Sequence, residues 1–308
     1  MPIFWFYSKR LNICLDFVLS KEYNIEKNIK KAQTMKKELK EFIEKYEICD
    51  GHAHIFPEKI AQKAVESIGH FYDLDMFCES GTSNALINSG NLINITHYLV
   101  CSTATVPHQV ESINHFIVKE CKKHPELIGF GTLHPDYDDI EGQVQYCIDN
   151  GLRGIKLHSD FQKFNIDDPR AYKIYEIIEG RLPVLLHMGD NRYDYSSPKR
   201  LKKATDDFKN LIVFASHFGG YQRWDEALKY LAGNENIYYD TSSSLAFIDK
   251  EKALALIDAY GTDKLFFGCD FPMWKHSEEL ERFMDLELND TANSAILSGN
   301  FKRFFNIC

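Results

Sequence analysis

Short apolar runs and longer amphipathic segments alternate along this chain from Glu47 to its end. Eight runs read as strands: 47–54 (EICDGHAH), 95–103 (ITHYLVCST), 127–134 (LIGFGTLH), 151–158 (GLRGIKLH), 182–189 (LPVLLHMG), 211–218 (LIVFASHF), 237–243 (IYYDTSS) and 265–272 (LFFGCDFP). Each is short and rich in apolar residues, as expected of a strand buried on both faces. Helix-length segments such as 106–123, 168–180, 221–232 and 249–260 lie between them. Strands that alternate with helices pair in parallel through right-handed crossovers. The pattern predicts an α/β fold, a (β/α)8 TIM barrel over residues 46–308. A doubly wound open sheet would normally carry a Gly-rich phosphate loop after its first strand, and the sequence has none there.

Residues 1–45 break the pattern and read as a partly helical N-terminal extension. Met1 to Leu19 is apolar and aromatic, but Lys9 and Arg10 interrupt it. The uninterrupted run is too short to span a bilayer, and no small-residue cleavage site follows it. Residues 21–45 are rich in Lys and Glu and predict a solvated helix. The working domain is expected to begin near Met35, with the upstream segment an appendage or a misassigned start.

Polar residues fall at consistent places in the barrel pattern. His54, Thr103, His134, His158, His187, His217, Asp240 and Asp270 all stand at or near the carboxyl end of a predicted strand. Barrel active sites assemble on that face. His52 and His54, two apart on a strand, share one face, and imidazole suits a borderline metal such as zinc. His187 ends an apolar strand, where a buried imidazole needs a metal or a hydrogen-bond partner. Asp270 lies on the eighth strand, beside the first in a closed barrel, where a carboxylate needs a cation or several donors. His52, His54, His187 and Asp270 are therefore the candidate metal ligands, and Asp270 can also take a proton during catalysis.

His217, in SHFGG, is the candidate general acid/base, with a further metal ligand as the competing reading. The Gly-Gly after it suits a tight turn into a helix. Lys156 and His158 share a face of the fourth strand. Lys156 reads as a carbamate bridging two metals, a substrate-orienting charge, or a plain ion-pair partner of a lumen carboxylate. His158 and Asp240 join it as candidates for a second metal or for orienting substrate. Asp240 is also expected to orient His217 or His187, or to pair with Lys156. Arg192, Arg223 and Tyr193 are candidates for holding a substrate carboxylate.

Charge and cysteines narrow the classes. With 36 basic against 45 acidic residues, the net charge of −9 gives no basic face for nucleic acid. The eight cysteines form no CxxC pair, which predicts free thiols, and with them a cytoplasmic protein. The expected partner is a small molecule, with neither nucleic acid nor membrane, and a homodimer is an open option.

The motifs DGHAHIFP, GIKLH, LPVLLHMG, SHFGG, YYDTSS and GCDFP, ending in ILSGNFKRFF, together resemble the amidohydrolase superfamily. The likeness is to its amidohydrolase-2 branch, related to aminocarboxymuconate-semialdehyde decarboxylase, and spans about residues 47–306. It implies a barrel with one divalent metal, usually zinc, held by His52, His54, His187 and Asp270, with His217 matching the strand-six catalytic histidine. A second metal follows only if Lys156 is carbamylated. The leading expectation is hydrolysis of a small amide, ester or lactone by metal-activated water. The alternative is non-oxidative decarboxylation of an unsaturated or aromatic carboxylate at the same site. A related metal-dependent nuclease would prefer a carboxylate at the end of the third strand, where His134 stands. A catalytically dead barrel that only binds would have lost a ligand, and all four are present.

Overall fold

The apolar runs form parallel strands whose ladders follow the chain order. They are β1 (Ile48–His54), β2 (Ile95–Cys101), β3 (Leu127–Gly129), β4 (Gly131–Thr132), β5 (Ile155–Leu157), β6 (Val184–Leu186), β7 (Val213–Ala215), β8 (Ile237–Asp240) and β9 (Leu265–Phe266). One ladder runs β1-β2-β3 and the other β4 to β9 in order. β3 and β4 are the two parts of one expected strand, interrupted at Phe130. The Phe130 N–H donates to Val100 O, and the Gly131 N–H donates to Gly154 O, both at 2.9 Å, so the two ladders join there. At the other edge Gly51 N–H donates to Phe267 O, Asp270 N–H to His52 O and His54 N–H to Phe271 O, all at 2.7 Å. Neighbour relations therefore run in a ring, as in a TIM barrel.

This computed structural model describes residues 36–307, and the chain divides into two units, Met1–Lys45 and Tyr46–Cys308. The expected apolar segment 1–19 and the upstream part of the 21–45 helix lie outside the described residues. Residues 36–45 are helical, with Lys37–Glu41 and Lys40–Glu44 paired at i,i+4 spacing.

The strands are shorter than their apolar runs because the chain leaves each ladder where the polar residues begin. β5 stops at Leu157 because His158 caps the next helical turn, its Nδ1 accepting the Phe161 N–H. Segment 55–94, between the first two strands, holds two helices, Glu58–Tyr72 and Ser83–Asn91. The first forms because Ala61, Val65 and Gly69, spaced four apart, bury one stripe. Inside the ring Leu99, Phe130, Leu185, Phe214 and Phe266 pack with Phe301 and Phe305 of the closing helix Asn300–Phe305. That apolar cluster fills the lumen and leaves the carboxyl ends of the strands to polar groups.

One irregularity sets up the site. Asp50 pairs with Tyr98 and Ala53 with Val100, so β1 spends three residues where β2 spends two. This bulge re-aims the strand. Cys49 packs in the lumen cluster, yet Asp50 points to helix His276–Met284, and His52 and His54 both face the site. Gly51 allows it: a Cβ there would stand 2.8 Å from Phe266 Cβ.

Candidate active site

Two imidazole nitrogens and one carboxylate oxygen converge at the end of β1. His52 Nε2 and His54 Nε2 are 3.2 Å apart, and Asp270 Oδ1 lies 3.7 Å from the first and 3.2 Å from the second. Ligands about 2.0–2.1 Å from a tetrahedral zinc-like ion stand roughly 3.3 Å from one another. The donor set therefore fits a divalent ion. The spot also favours positive charge: burial opposes it, yet Cys101 and Asp270 push His54 up to about 9. Burial likewise raises Asp270, but His52, His54 and His217 outweigh it and hold the carboxyl well below the usual range. The other oxygen, Asp270 Oδ2, accepts the Ser243 hydroxyl at 2.6 Å.

A buried carboxylate stands behind each end of this group. Asp240 Oδ2 accepts from His52 Nδ1 at 3.0 Å, which leaves the Nε2 lone pair aimed at the convergence point. Asp240 Oδ1 accepts the His217 backbone N–H at 3.0 Å. Asp240 thus orients the His52 ring and not, as expected, the ring of His217 or His187. Asp50 is fully buried and accepts the backbone N–H groups of His52 and Cys269, at 3.0 and 2.9 Å, and His276 Nε2 at 3.0 Å.

His217 is oriented by Ser242, which the sequence reading did not single out within YYDTSS. His217 Nδ1 lies 3.1 Å from Ser242 O and 2.9 Å from Ser242 Oγ, so its proton belongs on Nδ1. Its Nε2 then accepts from His187 Nδ1 at 3.1 Å, and His187 keeps a lone pair on Nε2. Burial pushes His217 down to about 4, against the pull of Asp270 and Asp240. The expected turn after it begins early: His217, Phe218 and Gly219 take φ of 62°, 51° and 76°.

Around His187 the geometry is different. The His158 and His187 rings are stacked, 4.0 Å between centroids and 5° between planes, with Phe161 on the other face of His158. Burial, reinforced by neighbouring cationic groups, holds both imidazoles well below their ordinary value, so both are neutral. His158, Asp160 and His187 bring ligand atoms within 4.8 Å of one another, a second group of metal-capable residues beside the first. Tyr72 Oη, from the end of helix Glu58–Tyr72, lies 3.0 Å from His158 Nε2 and 3.3 Å from His187 Nε2. Asp160 Oδ2 accepts the Ser196 hydroxyl at 2.8 Å and lies 3.8 Å from His187 Nε2. Sequence reading missed Tyr72 and Asp160; the HxD spacing from His158 was a usable signal, while Tyr72 carried none.

Lys156 is fully buried, with Nζ 3.3 Å from His52 Nε2, and burial lowers its pKa. Arg192 is engaged by Asp190, with Nη2 to Oδ2 at 2.6 Å and Nε to Oδ1 at 3.0 Å. It also donates to Phe71 O and lies over the Phe71 ring. Arg223 pairs with Asp194 and Glu226, and Tyr193 stacks on Phe71. These three residues tie the loop after β6 to its surroundings. His134 Nδ1 accepts the Asp136 N–H, a turn contact. The six described cysteines are free, and four of them, Cys49, Cys101, Cys147 and Cys269, are buried. Among the described residues no helix is long and apolar enough to cross a membrane.

The cluster opens into a cavity of about 740 Å³, lined among others by His54, His158, His187 and Asp270.

A family model described as amidohydrolase matches residues 102–307. No curated protein sequence matches the chain. Among solved structures, an uncharacterized TIM-barrel protein from Bordetella bronchiseptica is 18% identical with a TM-score of 0.69, over 85% of this chain and 99% of that one. A dihydroxybenzoic acid decarboxylase from a Polaromonas species, with bound manganese and 2-nitroresorcinol, is 14% identical with a TM-score of 0.65, over 85% and 97%. A protein from Pseudomonas putida assigned as a 2-pyrone-4,6-dicarboxylic acid hydrolase is 16% identical with a TM-score of 0.60, over 85% and 98%. These likenesses support the barrel.

Proposed function

Since the chain belongs to the amidohydrolase family, we propose that the convergence of His52, His54 and Asp270 is the divalent-metal centre of an enzyme acting at the carbonyl or carboxyl carbon of a small molecule. The observation that carries this reading is the 3.2–3.7 Å spacing of two Nε2 atoms and one carboxylate oxygen at the mouth of a cavity. His187, with its lone pair on Nε2, is the proposed fourth ligand. A bound ion would supply Lewis-acid polarisation of a substrate oxygen. Zinc and manganese both suit such a site, and manganese is present in the Polaromonas decarboxylase.

The residues of this chain do the rest. Ser242 fixes His217 with its proton on Nδ1, so His217 Nε2 is the atom that takes and returns a proton. Asp270 holds the centre through Oδ1, while Ser243 neutralises part of the charge on Oδ2. Tyr72 Oη offers a hydrogen bond to a substrate oxygen. Asp160 and Lys156 are proposed as substrate-facing groups.

Hydrolysis of an ester, amide or lactone is the first reaction this arrangement suits. A second reading, non-oxidative decarboxylation, is favoured by the apolar side chains that share the cavity with the cluster, because they deprive a substrate carboxylate of hydration. The dihydroxybenzoate and 5-carboxyvanillate decarboxylases among the similar folds support it. The test is a panel of lactones, esters and single-ring hydroxy acids on metal-loaded chain. Acid release without carbon dioxide marks hydrolysis, carbon dioxide release marks decarboxylation, and loss of both on chelation is required by either. Turnover that survives complete metal removal would sink the proposal.

A further inference from the structure

Helix Glu58–Tyr72 has two apolar stripes, and only one is buried among the described residues. Ala61, Val65 and Gly69 are buried. Ile60, Ala64, Ile68 and Phe71 form the second stripe, spaced three or four apart, and all four line the cavity. None of them is buried, and Ile60 is 50% exposed. Helix Val110–Lys123 repeats the arrangement: Ile117 and Val118 are buried, while Ile113 and Phe116 line the same cavity. Uncovered apolar stripes on two helices are costly unless something fills the space they share.

The space is continuous with the polar cluster. Tyr72 ends the cavity-lining stripe of helix Glu58–Tyr72, and its hydroxyl touches His158 and His187. From Ile60 to Tyr72 the helix runs about 18 Å at 1.5 Å per residue. The cavity of about 740 Å³ corresponds to roughly 25 water molecules at about 30 Å³ each. A single-ring acid of about ten non-hydrogen atoms fills a small part of a pocket in this size range. Away from the cluster, its lysines are Lys63 and Lys163, both solvent-exposed, which is a poor match for a polyanion.

We infer that the substrate is an amphiphile: one polar reacting group at the His52–His54–Asp270 cluster, and an alkyl, acyl or polycyclic apolar group between helices Glu58–Tyr72 and Val110–Lys123. The head rests on the metal-centred reading above; the tail rests on the two helix faces alone.

The test is calorimetric binding of straight-chain hydroxamates, from acetohydroxamate to decanohydroxamate, to the full chain with and without manganese. Each methylene received by the apolar faces should tighten binding about fourfold. That chain-length slope should appear in metal-loaded and metal-stripped protein alike, and Ile113→Glu should flatten it while acetohydroxamate binding to the loaded chain stays unchanged. Ala64→Trp, which occupies the space, should stop the gain at a shorter chain. A flat or falling series overturns the inference, whatever the metal does. Acetohydroxamate binding that is indifferent to manganese overturns the metal reading instead, and the slope then still decides the tail.

Discussion

Two pairs of histidines lie within the same lumen, and their ring geometry separates what each can do. His52 and His54 turn their Nε2 atoms to one point, 3.2 Å apart, with a carboxylate oxygen beside them. His158 and His187 lie face to face, 4.0 Å between centroids, with Tyr72 Oη within 3.3 Å of both Nε2 atoms. His52, His158 and His187 are buried and His54 is half-buried, so burial and residue type do little to distinguish the pairs. What does is the support behind each ring. Asp240 pins His52 from its Nδ1 side, and the β1 bulge brings His52 and His54 round together. Phe161 and Tyr72 hold His158 by stacking and by a single hydroxyl. Convergence puts His52 and His54 on one ion; stacking puts His158 beside His187, the proposed fourth ligand, as its packing partner.

The largest break in this comparison is a metal-affinity one. His54→Ala removes one of three converging atoms and should weaken divalent-metal binding by more than about 100-fold, since even an outer-shell change costs 10–100-fold. His158→Ala should leave metal affinity within about threefold while lowering turnover. Elemental mass spectrometry on protein dialysed against buffered metal reads both. A His158→Ala chain that loses its metal would show that the stack, not the convergence, is the cation site.

Next in size is the effect through Asp240. Asp240→Asn keeps the shape but removes the charge that holds the His52 proton on Nδ1, and should cost about 10–100-fold in metal affinity. Ser242→Ala removes a hydroxyl that accepts from His217, donates to Asp240 and lies 3.2 Å from His52 Nδ1, so it should reduce kcat while costing less metal affinity than Asp240→Asn. If both variants changed metal affinity equally, the assignment of Asp240 to the ring of His52 would fail.

Much of this was legible in the sequence, but unevenly. The eight strand positions follow from apolar runs, and His52, His54, His187, His217 and Asp270 follow from standing at their ends. Ring direction did not follow, because χ2 of a histidine is broad and is set by partners distant in sequence. Asp240 reaches 188 positions back to His52, and nothing local to YYDTSS says which histidine it serves. The bulge that sends Asp50 outward and His52 inward is likewise invisible in DGHAH, since alternation alone places 50, 52 and 54 on one face. Tyr72 enters from a helix that the strand pattern does not mark as part of the site, and the Arg192 guanidinium is taken up by Asp190, two residues away.

The smallest effect concerns stability, and it asks whether the convergent pair is held up by the fold or by its ion. A ligand that binds only the folded state stabilises it by RT ln(1 + [L]/Kd), about 2.7 kcal/mol at a hundredfold excess over Kd. Chelation should therefore lower the melting temperature of the wild-type chain by a few degrees for a domain of this size. The same treatment should leave His54→Ala nearly unmoved, because that variant has already lost the binding. His158→Ala should melt below wild type, having lost a ring packed on both faces, yet still shift on chelation by the wild-type amount. Unequal shifts in wild type and His158→Ala would mean that His158 also contributes to holding the ion. Equal shifts would leave His158 with a task separate from that of His52, His54 and His187.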